Sequence, residues 1–189
     1  VLNTTLLSND TDVDGDTLTI TKIGDTTLTP GTAQYIDVTN GTVNVDAAGN
    51  ITFTPAYNHV GAVSFAYTVS DGNGGTNSAT VSGTITNVND TPVAADDTTA
   101  LNGNEDTTSA VLNTTLLSND TDVDGNTLTI TKIGGTTLTP GSAQTITVTN
   151  GTVNVDAAGN IRFTSTANYA STVSFAYTVS DGNGGTNSA

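Results

Sequence analysis

Val63-Ser64-Phe65-Ala66-Tyr67-Thr68-Val69-Ser70-Asp71-Gly72-Asn73-Gly74-Gly75 alternates apolar and polar residues, then breaks into a glycine-marked turn. A period of two places Val63, Phe65, Tyr67 and Val69 on one buried face of a strand. The same stretch returns unchanged at 173–185. Followed outward, the recurrence covers Val1 to Ala79, which comes back as Val111 to Ala189 at an offset of 110 residues, with 13 of 79 positions changed. A tandem repeat is the first fact the fold must satisfy. Residues 80–110 occur once, so they hold the end of one repeat, the joint, and the start of the next.

The rest of the repeat reads as strands between turns. Leu18 and Ile20, with Ile23 close by, alternate with Thr17, Thr19 and Thr21. Tyr35-Ile36-Asp37-Val38, Val43 with Val45, and Ile51-Thr52-Phe53-Thr54 follow, with the tight-turn pair Asn40-Gly41 between the middle two. Val81, Gly83 and Ile85 alternate in the strand that leaves the unit. Further strands are expected from Pro92 to Ala100 and from Ala110 to Leu116. No apolar stripe of helical period is long enough to predict a substantial helix. About seven short strands per unit, with turns every 8 to 12 residues, predict an all-β chain of tandem Greek-key β-sandwiches. The expected domains are residues 1–90, lacking an opening strand, and 91–189, lacking a closing strand, with the joint at about 87–106. Each should then present an uncovered sheet edge.

Composition narrows the function. The net charge is −15, and the only Lys and Arg residues are Lys22, Lys132 and Arg162. Such a chain is repelled by nucleic acid and by anionic membranes, and its natural counter-ions are metal cations. There is no cysteine, hence no disulfide framework and no thiolate metal site. Its 42 threonines suit half-buried strands. No apolar run approaches a membrane span. The one histidine, His59, is Tyr169 in the other repeat, so a Ser-His or Cys-His constellation cannot occur in both. The chain is not read as an enzyme.

The 18 acids are concentrated. Asp90, Asp96, Asp97, Glu105 and Asp106 lie in the joint, and Asp120, Asp122, Asp124 and Asp181 lie in loops of the second repeat that should face it. Asp10, Asp12, Asp14, Asp16 and Asp71 are the same loops of the first repeat. Two carboxylates ~4 Å apart repel by up to roughly 4 kcal/mol at an effective dielectric of about 20. A cluster of them needs a cation or must splay apart. Oxygen donors without His or Cys favour a hard cation such as Ca2+. Asp10, Asp12, Asp14 and Gly15 open like an EF-hand loop, but Thr21 stands where that loop needs its bidentate glutamate.

These residues also resemble a family. Asn87-Val88-Asn89-Asp90-Thr91-Pro92 is similar to the cadherin joint motif DxNDNxP. Leu116-Leu117-Ser118-Asn119-Asp120-Thr121-Asp122 resembles the AxDxD loop, and Thr178-Val179-Ser180-Asp181-Gly182 the AxDxG turn. The whole unit resembles the cadherin-like, immunoglobulin-like repeats strung in tandem in giant bacterial surface and secreted adhesins. Asn87 and Thr91 depart from the joint motif, and the DRE triplet has no counterpart, which implies fewer calcium ions per joint. The resemblance implies metal ligands at Asp90, Asp120, Asp122 and Asp181, then Asn89 through its carbonyl and Glu105, with Asp124 as ligand or turn residue. Asp10, Asp12, Asp14 and Asp71 are the corresponding positions in the first repeat.

The reading is a calcium-rigidified spacer of an extracellular adhesin at the bacterial cell surface, projecting a binding region for cell adhesion and biofilm formation. Its partners are neighbouring repeats of the same polypeptide, without nucleic acid or membrane insertion. A carbohydrate-binding module is the main alternative, with polysaccharide or cell-surface ligands. Tyr35, Tyr57 and His59 are exposed candidates, although Thr145, Ala167 and Tyr169 replace them in the second repeat. A weaker alternative is a fibre-forming subunit that self-associates by exchanging strands at exposed edges.

Overall fold

A computed structural model describes residues 2–98, 101 and 103–189. Thr99, Ala100 and Asn102, part of the expected joint, lie outside the described residues. The chain divides into two compact units, Val1–Asn87 and Val88–Ala189. The whole Asn89–Pro92 stretch thus belongs to the second unit, three residues from the expected boundary.

Unit 1 holds β1 (Thr19–Ile23), β2 (Thr26–Thr27), β3 (Gln34–Val38), β4 (Gly41–Val45), β5 (Ile51–Pro55), β6 (Gly61–Ser70) and β7 (Thr76–Ile85). One sheet has the order β2-β1-β6-β7 and the other β3-β4-β5, and every pairing is antiparallel. The chain leaves the first sheet after β2, builds the second, and returns as β6 beside β1. Side chains from the two sheets share one core: Ile23, Phe65, Tyr67 and Val69 from the first, and Ile36, Val43, Val45 and Ile51 from the second. Of the Val63–Val69 alternation, Phe65, Tyr67 and Val69 are buried in the core and Val63 is half-buried at its edge. Phe53 and Phe65 stack across the core with ring centroids 6.0 Å apart.

A register shift between Ile20 and Lys22, opposite Val69 and Thr68, explains why Ile23 is inward although it lies an odd number of residues from Ile20. The extra residue of a β-bulge resets which face the chain buries, and Ile23 ends fully buried.

Unit 2 repeats the plan with β8 (Thr129–Ile133), β9 (Thr136–Thr137), β10 (Gln144–Val148), β11 (Gly151–Val155), β12 (Ile161–Ser165), β13 (Tyr177–Ser180) and β14 (Thr186–Ser188). Its sheets are β14-β13-β8-β9 and β10-β11-β12. The described residues thus form an all-β structure of fourteen strands, seven per unit. One difference is local. β6 pairs with β7 over ten rungs from Gly61↔Ile85 to Ser70↔Thr76, whereas β13 pairs with β14 over three, from Thr178↔Ser188 to Ser180↔Thr186.

Two expected strands are corrected. Within 110–116 the chain forms a single helical turn, α2 (Asn113–Leu116), matched by α1 (Asn3–Leu6) in unit 1. The cause is non-local: Asn113 Nδ2 donates to the Gly159 carbonyl, and Asn113 Oδ1 accepts from the Ile161 amide. That clamp turns Leu112 and Leu116 into the core, both 3% exposed. The described stretch 92–98 forms only an isolated bridge, Val93↔Thr121, because side chains take its other polar groups: Asn187 donates to the Pro92 carbonyl, Asp120 accepts the Ala95 amide, and Asn119 donates to the Ala95 and Asp96 carbonyls.

Candidate metal centre

Each acidic loop folds first around one of its own carboxylates. Asp122 Oδ1 accepts the amides of Asp124 at 2.9 Å and Asn126 at 3.2 Å. Asp181 Oδ1 accepts those of Asn183 at 2.8 Å and Gly185 at 2.9 Å. These are turns in which a short acidic side chain replaces a backbone acceptor. Gly185 has no room for a side chain: a Cβ there would overlap Asp181 Oδ2 and press on Pro92 Cδ.

Three asparagines then join the loops. Asn89 Nδ2 donates to Asp181 Oδ2 at 2.7 Å. Asn126 Nδ2 lies 3.2 Å from both Asn89 Oδ1 and Asp122 Oδ1. Asn183 Nδ2 donates to Asn126 Oδ1 at 2.9 Å. The Asp90 backbone amide donates to Asp124 Oδ2 at 2.7 Å, while the Asp90 residue itself is exposed. Asp181 is 5% exposed, and the Asn89 amide holds its carboxyl below the usual carboxylate range, against the opposing pull of burial. Asp122 Oδ2 is buried and has no partner. A buried carboxylate oxygen with no donor is costly to leave so, and it is the one orphan in this network.

In unit 1 the same loops bring Asp12, Asp16 and Asp71 together, each offering a carboxylate oxygen within 4.8 Å of the others. Asp16 is the residue the sequence reading left out of its ligand set. The signal was available: it closes the turn begun by Asp12, whose Oδ1 accepts the Asp16 amide. Asn126 takes this place in unit 2, so one acid of the first cluster becomes an amide in the second.

The other expected ligands are placed elsewhere. Asp10 accepts from the Tyr67 hydroxyl at 3.0 Å. Asp120 receives the Ala95 amide at 2.8 Å and lies 3.2 Å from the Tyr177 hydroxyl. That hydroxyl also faces Asp97 Oδ2 at 3.0 Å and the Leu116 carbonyl at 2.8 Å. Burial, then the neighbouring Asp97 and Asp120, push the Tyr177 phenol far above its ordinary value. Burial likewise raises the Asp97 carboxyl, opposed by the Tyr177 hydrogen bond and reinforced by the charges of Asp120 and Asp96. Asp14 is exposed. Glu105 lines a separate cavity with Phe163, Ser165 and Tyr169.

The aromatic candidates for sugar binding diverge in the same way. Tyr57 is 91% and Tyr35 79% exposed in unit 1. In unit 2 the Tyr169 hydroxyl is tied to Asn150 and to the Thr172 carbonyl. Among the described residues no exposed aromatic pair is common to both units.

Two antiparallel sheets closing on one core, repeated with the same strand order, define a tandem immunoglobulin-like β-sandwich. The family model described as Bacterial Ig domain matches residues 1–84 and again 89–189, and the chain belongs to that family. No curated protein and no solved structure matches it. Repeats of this family are generally structural domains without catalytic activity, and are typically extracellular. Among the described residues no helix is long and apolar enough to cross a membrane.

Proposed function

We propose that the chain is part of the spacer of a large bacterial surface adhesin, and that calcium at the acidic loops fixes the segment between successive repeats. The observation that carries this reading is the buried, unpartnered Asp122 Oδ2, in a network that also contains Asp124, Asp181 and Asn89. These donors fit a hard cation, since all are oxygens and carboxylates predominate. Among the described residues only Asp12, Asp16 and Asp71 already lie within 4.8 Å of one another, so Asp122, Asp124 and Asp181 would have to draw together to hold the ion, with carbonyl oxygen from Asn89 or Asp90. When bound, calcium offsets the mutual repulsion of the carboxylates. The chain's own part is to present them: the Asp122 and Asp181 turns orient the loops, and Asn89 ties the incoming segment to them. In unit 1 the set is Asp12, Asp16 and Asp71; Asp16 stands where unit 2 has Asn126, so the loops of unit 1 carry one more carboxylate to neutralise. Near-identical repeats support a part copied for length, and the lack of a shared aromatic platform speaks against a dedicated sugar-binding face.

Extracellular modules bind calcium with dissociation constants of about 10⁻⁴ to 10⁻³ M. At ten times such a constant, each site adds only about 1.4 kcal/mol of stability. Protection of the 88–98 segment from protease is therefore a more sensitive readout than melting temperature. Calorimetric titration should show calcium binding in this range, weakened at least tenfold at the unit 2 site by Asp122→Asn. If no calcium binds, and chelator leaves cleavage between 88 and 98 unchanged, the calcium reading fails.

A further inference from the structure

Five Asn-Gly pairs occur in the chain, at 40–41, 73–74, 102–103, 150–151 and 183–184. Asn102 lies outside the described residues. The other four form two equivalent sets, one at the start of β4 and β11, the other in the turn after β6 and β13. Such a pair can lose ammonia without an enzyme. The glycine amide nitrogen gives up its proton and attacks the asparagine Cγ, the side-chain nitrogen leaves as ammonia, and a five-membered succinimide closes. Water then adds to one of the two ring carbonyls and leaves aspartate or isoaspartate. The step needs no oxidant, reductant or metal, only a glycine backbone free to swing toward Cγ.

The two sets differ in that freedom. Asn150 Nδ2 donates to the Tyr169 hydroxyl at 2.8 Å. Gly151 is buried and register-paired with Val148 on one side and Ser165 on the other, so its backbone swings only if two ladders open. Gly41 is held in the same way, between Val38 and Pro55. Asn183 and Gly184, by contrast, are both exposed. Gly184 has φ 110°, a region glycine enters freely, and a Cβ there would meet nothing within 4 Å. Among the described residues its amide has no acceptor. Asn73 and Gly74 repeat each of these features, with φ 106° at Gly74. The turn keeps this geometry although β7 runs on to Ile85 in unit 1 and Pro92 is seated beside the turn in unit 2.

We propose that Asn73 and Asn183 are sites of spontaneous deamidation, one per repeat, and that each event turns a donor between two loops into a carboxylate. Asn73 Nδ2 donates to Asp16 Oδ2 at 2.8 Å. Once that nitrogen is an oxygen, two carboxylates face each other where a hydrogen bond stood, and like charges at such a distance disfavour both ionised forms. Asn183 Nδ2 donates to Asn126 Oδ1 at 2.9 Å, so in unit 2 the new carboxylate meets a neutral amide. The same modification therefore loosens the acidic loops of unit 1 more than those of unit 2. It adds negative charge with the age of the chain and acts through ordinary electrostatics. No metal enters the reaction, so this proposal stands apart from the calcium reading.

The test incubates the folded chain in chelator at mildly alkaline pH and digests samples with trypsin. Cleavage after Lys132 and Arg162 puts Asn150 in peptide 133–162 and Asn183 in peptide 163–189, so each is read by its own mass. Peptide 163–189 should gain the mass of an amide-to-acid conversion at least about tenfold faster than 133–162, whose glycine must first escape paired strands. In denaturant that protection is gone, and the two rates should come within about threefold of each other. Asn183→Gln should abolish the gain in 163–189. For the consequence, Asn73→Asp should lower the melting temperature, with less than about half that shift in an Asp16→Asn background. The proposal is overturned if neither peptide gains mass, if 133–162 converts as fast as 163–189 in the folded chain, or if Asn183→Gln leaves the gain unchanged. It is equally overturned if the Asp16→Asn background does not lessen the Asn73→Asp shift.

Discussion

Asn89 Nδ2 lies 2.7 Å from Asp181 Oδ2, and this hydrogen bond joins residues 92 positions apart. It connects the segment that opens unit 2 to the turn between its last two strands, with the neutral amide of Asn89, not a second carboxylate, facing Asp181. Acid convergence and acid satisfaction are thereby separated. The loops gather charge, and asparagines supply the donors.

Asn89→Ala tests that contact through its pH dependence. The Asp181 carboxyl is lowered from 3.8 in the folded state, with Asn89 as the largest cause. A lowered carboxylate contributes stability that is present above the ordinary value and lost as pH falls through the folded one. Asn89→Ala should melt earlier than wild type at neutral pH, and the gap should close on acidification below about 3.8. Thermal melts across that window decide it. A gap independent of pH would assign the effect to something other than Asp181.

Tyr177 makes the opposite prediction at alkaline pH. Its phenol is raised, so its contribution to stability is complete below the ordinary value of 10.0 and declines as pH climbs above it. Tyr67 is raised in the same direction, by burial and then by Asp10. Titration of phenolate absorbance should show two tyrosines that ionise above the usual range, and Tyr177→Phe should remove one. The same substitution strips the donor from the Leu116 carbonyl and should cost about 1–3 kcal/mol at neutral pH.

Gly151 tests packing at the first residue of β11. Its φ is ordinary, yet a Cβ there would sit 2.5 Å from the Phe163 ring and from the Thr164 carbonyl oxygen. Gly151→Ala should destabilise unit 2 by about 1–3 kcal/mol through overpacking. Gly103, where an added Cβ meets nothing within 4 Å, supplies the control, with Gly103→Ala within about 0.5 kcal/mol of wild type. Denaturant melts compare the two.

Core truncation should be symmetric. Ile23 and Ile133 hold the same position in the two units, and each is 0% exposed. Ile23→Ala and Ile133→Ala should each cost about 2–5 kcal/mol, and each should shift one calorimetric component only. Equal loss from both components on a single substitution would show that the units do not unfold separately.

Much of this was legible because strands advertise themselves with period-two alternation. Val63, Phe65, Tyr67 and Val69 needed no partner information to be placed inward. What escaped reading depends on contacts made across long sequence separations. The α2 turn rests on Asn113 reaching residues 46 and 48 positions away. Asp10 and Asp120 each sit beside a tyrosine hydroxyl 57 residues on, a contact that no local pattern announces. Which oxygen is left without a donor, Asp122 Oδ2, is a property of the folded network and has no signature in composition.

The repeated strand pairing of the two units has a consequence for mass spectrometry. Residues 38–51 and 148–161 are the same fourteen letters, so peptides cut at those bounds have one mass and cannot be told apart by it. Their amides sit in matching ladders, from Val38↔Gly41 to Val45↔Ile51 in unit 1 and from Val148↔Gly151 to Val155↔Ile161 in unit 2. Deuterium uptake into that single mass should therefore stay in one isotopic envelope. A substitution that loosens one unit would split it in two, so the chain provides its own internal standard.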